Sequence, residues 1–154
     1  MRSDATATAA HQRWEVLTTR PTEFIDLTDW LETLVASAGI GEGVLHVQTR
    51  HTTTGLLINE AEPLLLQDLE ARLSGWAPAD APYAHDDSSR RTVNVGPDER
   101  PNGFAHCRAA LLRSSETVLI LGGRLRLGRW QRVLLAEFDG PQRREIEALV
   151  VAAR

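Results

Sequence analysis

The sequence lacks lysine: all 17 basic residues among its 154 are arginine. This absence excludes mechanisms that need a lysine amine, such as a PLP Schiff base or a Walker-A phosphate loop. A single cysteine, Cys107, excludes an internal disulfide and a zinc site made of cysteines alone. Histidine and carboxylate side chains remain as candidate metal ligands.

Long apolar runs are also missing. No stretch approaches the roughly 20 apolar residues that a membrane-spanning helix needs. The opening stretch MRSDATATAAHQR lacks the apolar core of a secretory signal, so we expect a cytoplasmic protein with no membrane partner. Residues 1–11 are small and polar, which predicts a disordered tail, and residues 12–154 are expected to form a single domain.

Charge is unevenly distributed along the chain. Residues 1–99 hold 7 arginines and 16 acidic residues, whereas residues 100–154 hold 10 arginines and 5 acidic residues. A net charge of −4 argues against sequence-independent binding of nucleic acid, so no nucleic-acid partner is expected. The basic C-terminal third suits a small phosphorylated molecule or an acidic neighbouring subunit.

Hydrophobic periodicity predicts an α+β fold: a mixed, mainly antiparallel β-sheet with two or three helices packed on one face. Gly122-Gly123, between two alternating segments, predicts a two-residue hairpin turn, and the first two strands are expected to form a hairpin or meander. Strands are expected at 13–17, 24–27, 43–48, 55–59, 117–121, 124–127, 130–138 and 144–151, and helices between Thr28 and Gly39, at 62–74 and at 104–113.

Two further local features follow from residue type. Thr28 is expected to cap the first helix through its hydroxyl. The segment 77–103 contains four prolines and is predicted to be irregular, with at most a short strand at 92–95. Irregular segments of this length in compact domains are usually functional or disordered.

Histidines are the first candidates for chemistry, because imidazole is the commonest metal ligand and carries protons near pH 7. His11 falls in the predicted tail and His46 in the middle of a strand, so both are set aside. His51, His85 and His106 each lie next to turn or loop residues. Three histidines are the right number for a catalytic zinc site, although their spacings of 34 and 21 residues match no local motif.

Other polar residues can assist such a site. Glu60 and Asn59 follow a predicted strand, and Asp86 and Asp87 can orient a histidine, although Glu60 can equally be a helix N-terminal charge. Cys107 and His106 are adjacent on a predicted helix and point apart, so a nucleophilic pair is not expected. One or two arginines are expected to hold phosphate; the candidates are Arg108, Arg113, Arg124, Arg126, Arg129 and Arg132.

Several motifs occur together in a recognisable order: His51-Thr-Thr-Thr-Gly-Leu-Leu-Ile-Asn-Glu60, Tyr83-Ala-His85-Asp-Asp87, Asn102-Gly-Phe-Ala-His106, Gly123-Arg-Leu-Arg-Leu-Gly-Arg-Trp-Gln131 and Glu137-Phe-Asp-Gly-Pro141. Over roughly residues 12–151 the chain resembles the YjbQ-like family, known as secondary thiamine-phosphate synthases. The resemblance implies a β-sandwich of the α+β class that assembles as a homotrimer. It also implies a pocket near the subunit boundary, lined by the family's histidines and holding a metal in at least some members.

The implied activity joins a pyrimidine diphosphate to a thiazole phosphate and releases pyrophosphate, possibly as a side activity. A divalent metal, zinc or magnesium, is the implied cofactor, with His51, His85 and His106 as its ligands. These three histidines and Glu60 are the catalytic candidates. Candidates for binding the phosphorylated ligand are Asn59, Asn102, Arg108, Arg129 and Gln131.

One position departs from the family pattern. Phe104 stands where members often carry His or Asp, and phenylalanine cannot ligate a metal. Two alternatives to the transferase therefore stay open. One is a non-catalytic trimer that binds a metal or a small anion. The other is a metal-assisted hydrolase of a phosphorylated small molecule, with three histidines leaving a coordination position open.

Overall fold

The structure, a computed structural model, describes residues 9–153 and contains eight strands and three α-helices in that range. The strands are β1 Ala9–Leu17, β2 Glu23–Asp26, β3 Glu42–Thr49, β4 Thr54–Asn59, β5 Ser115–Leu121, β6 Arg124–Leu125, β7 Arg132–Glu137 and β8 Arg143–Ala152. The helices are α1 Thr28–Ala38, α2 Pro63–Trp76 and α3 Gly103–Ala110, with a 3₁₀ turn at Ala84–Asp86. The predicted α+β class is confirmed.

Two antiparallel sheets form the framework. One has five strands in the order β1-β8-β3-β5-β6, and the other has three in the order β2-β7-β4. Alternation in β3 buries Leu45 and Val47 and leaves His46 and Gln48 exposed, as expected for a sheet with one covered face. Helix α1 packs Leu31 and other apolar residues against this covered face, so the main core lies between α1 and the sheets.

The first two strands do not form the predicted hairpin. β1 pairs with β8 in the larger sheet, whereas β2 pairs with β7 in the smaller one. The connection between them crosses from one sheet to the other, and Thr18 anchors it by donating its backbone N–H to the carbonyl of Gln142 at 2.9 Å. β1 also includes residues 9–11, which we expected in the N-terminal tail; residues 1–8 of that tail lie outside the described residues.

The Thr28 hydroxyl does not cap α1. Its oxygen instead accepts the backbone N–H of Val133 at 2.9 Å, and the Asp26 carboxylate accepts the N–H of Thr28 at 2.9 Å. Gly39 ends the helix in a left-handed conformation, as its position predicted. The cap prediction was wrong because a tertiary contact to β7 takes the hydroxyl.

Later elements largely follow the prediction. Gly122 and Gly123 have φ values of 61° and 73° and form the expected turn between β5 and β6. Helix α3 ends at Ala110 rather than 113, because Arg113 exchanges backbone hydrogen bonds with Leu56 of β4. The segment 77–102 is irregular apart from the 3₁₀ turn, and its residues 92–95 form no strand. Within residues 9–153, no helix is long and apolar enough to cross a membrane.

Candidate functional site

A cavity of about 960 Å³ lies where three parts of the chain meet: the loop after β3, the segment 84–106 and the turn between β7 and β8. Charged and imidazole side chains dominate its lining. They comprise His85 and His106, the arginines Arg90, Arg91, Arg100 and Arg144, and the carboxylates Asp98, Glu99 and Asp139. The irregular segment thus forms one wall of a polar cavity.

Two of the three predicted histidines come together in this wall. The rings of His85 and His106 meet edge to face, with their centroids 4.6 Å apart. Burial, and then the neighbouring His85, lower the pKa of His106, which favours its neutral form near pH 7. His85 Nε2 is buried and has no hydrogen-bond partner within residues 9–153; the nearest carboxylate oxygen, Glu99 Oε1, is 3.8 Å away.

Asp86 fixes the two elements that carry these histidines. Its Oδ1 accepts the backbone N–H groups of Asn102 and Gly103, at 3.0 and 2.9 Å, and so satisfies the start of α3 from the 3₁₀ turn. A Cβ atom at Gly103 would lie 2.5 Å from Tyr83 Cβ, so only glycine allows this approach. Asp86 therefore positions a histidine through the backbone. The Asp87 carboxylate instead accepts hydrogen bonds from Ser89 and lies 3.9 Å from Arg90 Nε.

A buried ion pair forms the floor of the cavity. Arg144 at the start of β8 is 3% exposed, and Glu137 at the end of β7 is 0% exposed. The guanidinium donates from Nε to Glu137 Oε2 at 2.5 Å and from Nη2 to Oε1 at 2.6 Å. Arg144 Nη2 also donates to Thr53 Oγ1 at 3.0 Å, and Thr18 Oγ1 donates to Glu137 Oε2 at 3.1 Å. Both charges are paired and further hydrogen-bonded, as burial requires.

A second network links this floor to α3. Asp139 Oδ2 accepts hydrogen bonds from Asn102 Nδ2 and Gln142 Nε2, each at 3.0 Å, and Asp139 Oδ1 accepts from Arg100 Nη2 at 3.2 Å. Asn102 is 7% exposed, and its Oδ1 has no hydrogen-bond partner within the described part of the chain. Of the predicted ligand-binding residues, Asn102 is the one that lines the cavity.

His51 lies near the floor but not in the lining. Its Nε2 accepts the backbone N–H of Glu145 at 2.9 Å, which occupies one of the two ring nitrogens that can bind a metal. Burial lowers the pKa of His51, and the Arg144 charge lowers it further. Among residues 9–153, no group of three or more His, Cys, Asp or Glu side chains is arranged to hold a metal. The expected zinc or magnesium centre of His51, His85 and His106 is therefore not assembled within the described chain.

Five other predicted site residues lie outside the cavity lining. Arg108 is buried, donating to the carbonyl of Ala77 at 2.9 Å and to Thr22 Oγ1 at 3.2 Å, and burial lowers its pKa. Its role is to fasten α3 to the end of α2. Asn59, the last residue of β4, accepts the N–H of Glu60 through its Oδ1 at 2.9 Å, so the two residues form the start of the connection to α2.

The exposed loop before β7 holds the remaining two predicted residues. Arg129 stacks over the Trp130 ring at 4.6 Å, with Trp130 61% exposed, and Gln131 Oε1 accepts the N–H of Gly128 at 2.8 Å. Arg113 and Arg132 pair with carboxylates, and Arg124 and Arg126 are exposed outside the lining.

Phe104 also faces away from the cavity. It packs against the second apolar cluster, which contains Ala105 and Phe138, and its ring lies 4.8 Å from the Arg108 guanidinium carbon. In this chain the Phe104 side chain therefore contributes to packing and does not occupy the place of a missing metal ligand.

Sequence reasoning gave no site role to Arg91, Arg100, Glu137, Asp139 or Arg144. One signal was present: Glu137 directly follows the apolar run Val-Leu-Leu-Ala of β7, and an acidic residue in that position needs a buried partner. Nothing in the local pattern identified Arg144 as that partner.

The sequence matches the family described as "UPF0047 protein YjbQ-like" over residues 12–153. The chain belongs to this family. A UPF0047 protein of Methanothermobacter thermautotrophicus is 38% identical over 139 residues, covering 90% of each chain. One from Synechocystis is 34% identical over 149 residues, covering 95% of each chain.

Solved structures share the fold. A YbjQ-like protein of unknown function from Sulfolobus solfataricus superposes with a TM-score of 0.83 at 25% identity, covering 94% of this chain and 98% of that one. A conserved hypothetical protein from Thermus thermophilus gives a TM-score of 0.71 at 35% identity, covering 89% of this chain and 97% of its own.

Proposed function

We propose that this protein binds phosphorylated small molecules in the cavity and acts as a transferase of the thiamine-phosphate-synthase type. It would join a pyrimidine diphosphate to a thiazole phosphate and release pyrophosphate. The observation that carries this proposal is the contact of His85 with His106 in the wall of a cavity that four arginines also line.

The arginines support binding of a diphosphate because they are held in place. Arg91 Nη1 lies 3.0 Å from Glu99 Oε2, Arg100 Nη2 lies 3.2 Å from Asp139 Oδ1, and Arg144 is fixed by Glu137. A guanidinium has five N–H donors, so each arginine can keep its carboxylate and still donate to a phosphate oxygen. Held cations of this kind suit a leaving group that gains negative charge.

The proposed reaction breaks the bond between the pyrimidine methylene carbon and the diphosphate oxygen, and that carbon forms a new bond to the thiazole nitrogen. The electron pair of the broken bond leaves with pyrophosphate, whose charge the arginines would neutralise. His106, whose lowered pKa favours the neutral form near pH 7, and His85, whose Nε2 has no partner within residues 9–153, would exchange a proton or a hydrogen bond with the departing oxygen.

No protein-bound metal enters this proposal, because the three predicted histidine ligands do not converge within residues 9–153. The metal-assisted hydrolase, which needs three histidines around an open position, is therefore less well supported than the transferase. The non-catalytic anion-binding protein remains the alternative outcome of the test.

The test measures thiamine phosphate formed from both precursors by the purified chain, with and without added Mg²⁺. We expect His106→Ala and His85→Ala to lower the rate by about 100-fold or more. Arg72→Ala is the control, because Arg72 is exposed on α2, away from both the cavity lining and the five-stranded sheet. Product no greater than that of His106→Ala would reject the transferase, and saturable pyrophosphate binding without product would identify a binding protein.

We also propose that the chain assembles as a homotrimer. The uncovered face of the five-stranded sheet supports this, because Leu119 and Leu121 of β5 and Leu149 of β8 are 56%, 48% and 38% exposed there. Exposed leucines on two strands of one sheet face are typical of a surface that another subunit covers.

A further inference from the structure

Two buried polar atoms of the cavity wall lack a hydrogen-bond partner. Within residues 9–153 the only such buried side-chain atoms are His85 Nε2 and Asn102 Oδ1, and both residues line the same cavity. A buried polar atom is costly to leave unpaired, and native proteins contain few of them. Two such atoms in the wall of one cavity therefore point to a ligand that supplies the missing hydrogen bonds.

The two atoms differ in the kind of hydrogen-bond partner that each can take. A neutral imidazole nitrogen donates or accepts according to its tautomer, so His85 Nε2 suits either kind of ligand group. The Asn102 amide has no such freedom, because its Nδ2 donates to Asp139 Oδ2 at 3.0 Å and a carboxylate oxygen only accepts. Asn102 Oδ1 is therefore fixed as an acceptor.

Neighbouring residues hold this orientation. Asp139 also accepts from Gln142 Nε2 and Arg100 Nη2, and the backbone N–H of Asn102 is bound by Asp86 Oδ1. Rotating the amide by half a turn would place its oxygen against the Asp139 carboxylate. Asn102 thus brings a fixed, buried and unpaired acceptor to the wall that the arginines also line.

We propose that the occupant of this cavity is a phosphorylated molecule that also carries an N–H or O–H donor, and that Asn102 Oδ1 accepts this donor. Asn102 is then the residue that favours a ligand with this donor over a ligand of equal shape without it. This inference rests on the proposed function only for the phosphate group of the ligand. It adds a second requirement, which is that the ligand carries an N–H or O–H donor.

Matched probes test it on the unaltered chain. The 2-, 3- and 4-aminobenzyl phosphates are compared with the corresponding methylbenzyl phosphates, which have a similar shape and no donor, by titration calorimetry. At least one amino probe should bind about 10-fold more tightly than its methyl counterpart, because it alone pairs the buried oxygen. Equal affinities in all three pairs would overturn the inference and leave phosphate binding intact. If neither these probes nor inorganic pyrophosphate binds, the proposed function fails, and the inference fails with it.

Two variants assign the effect to Asn102. Asn102→Leu removes the acceptor at similar volume, so the amino preference should disappear while the methyl probes still bind. Asn102→Ala removes the acceptor with a smaller side chain, so the preference should disappear in that variant as well, even if Asn102→Leu does not fold. An unchanged preference in either folded variant would show that Asn102 is not the discriminating residue.

Discussion

Arg144 and Glu137 face each other across the turn between β7 and β8, joined by two hydrogen bonds of 2.5 and 2.6 Å and shielded from solvent. Removing one member of a buried ion pair leaves the other charge buried without a partner. We therefore expect Arg144→Met to lower the free energy of unfolding by about 3–5 kcal/mol in urea titrations.

The adjacent arginine provides the control for this change. Arg143 is exposed and pairs with Glu15 at 3.0 Å on the surface, so Arg143→Met should cost less than about 1 kcal/mol. Similar losses in the two variants would contradict a special role for the buried pair.

The second prediction compares substitutions of two neighbouring carboxylates, Asp86 and Asp87. Asp86→Ala removes the acceptor for two backbone N–H groups at the start of α3 and should destabilise the protein by about 1–2 kcal/mol. Pyrophosphate binding should weaken as well, because the turn carrying His85 and the helix carrying His106 lose their connection. Asp87→Ala removes hydrogen bonds to Ser89 and an exposed ion pair with Arg90 at 3.9 Å, so stability should stay close to wild type and pyrophosphate binding should weaken far less than in Asp86→Ala. Weakened pyrophosphate binding in both variants alike would argue against this linkage.

Stability should depend on pH through His51 and His106, because burial lowers the pKa of both. Well above pH 6.5 both residues are neutral in the folded and the unfolded chain, so stability does not depend on their protonation there. As the pH falls below 6.5, the unfolded chain takes up protons that the folded chain does not, so the folded state loses stability down to the lowered pKa values.

Urea titrations between pH 7.5 and 5.0 measure this dependence. His51→Gln and His106→Gln should each reduce the loss of stability on acidification, and the double variant should reduce it most. A double variant with the wild-type slope would show that these two histidines do not cause the acid sensitivity.

Subunit assembly gives the fourth prediction. If the uncovered sheet face joins the subunits of a trimer, Leu119→Asp should shift the protein from trimer to monomer in sedimentation velocity, because a carboxylate would be buried at the interface. Leu111→Asp is the control, since Leu111 is also about half exposed, at 54%, but follows α3 instead of lying on the sheet. A wild-type monomer, or a trimer that survives Leu119→Asp, would contradict assembly through this face.

Only part of the candidate site could be predicted from the sequence. His85 and His106 could be selected from sequence because they lie beside turn and loop residues, and the structure places them in contact. His51 has the same kind of setting, yet its Nε2 is used by the backbone of Glu145, 94 residues further along the chain. Arg108 was a phosphate candidate because of its charge, and the structure buries it against Ala77 and Thr22.

By itself the sequence determined what depends on neighbouring residues: the turn at Gly122-Gly123, the end of α1 at Gly39, the alternation of β3 and, through motifs in order, the family. Only the tertiary structure decided which polar groups meet. The capture of the Thr28 hydroxyl by Val133 and the pairing of Glu137 with Arg144 depend on how strands and turns are placed in space. Local periodicity carries no information about such contacts, because hydrophobic burial sets it and does not specify polar partners.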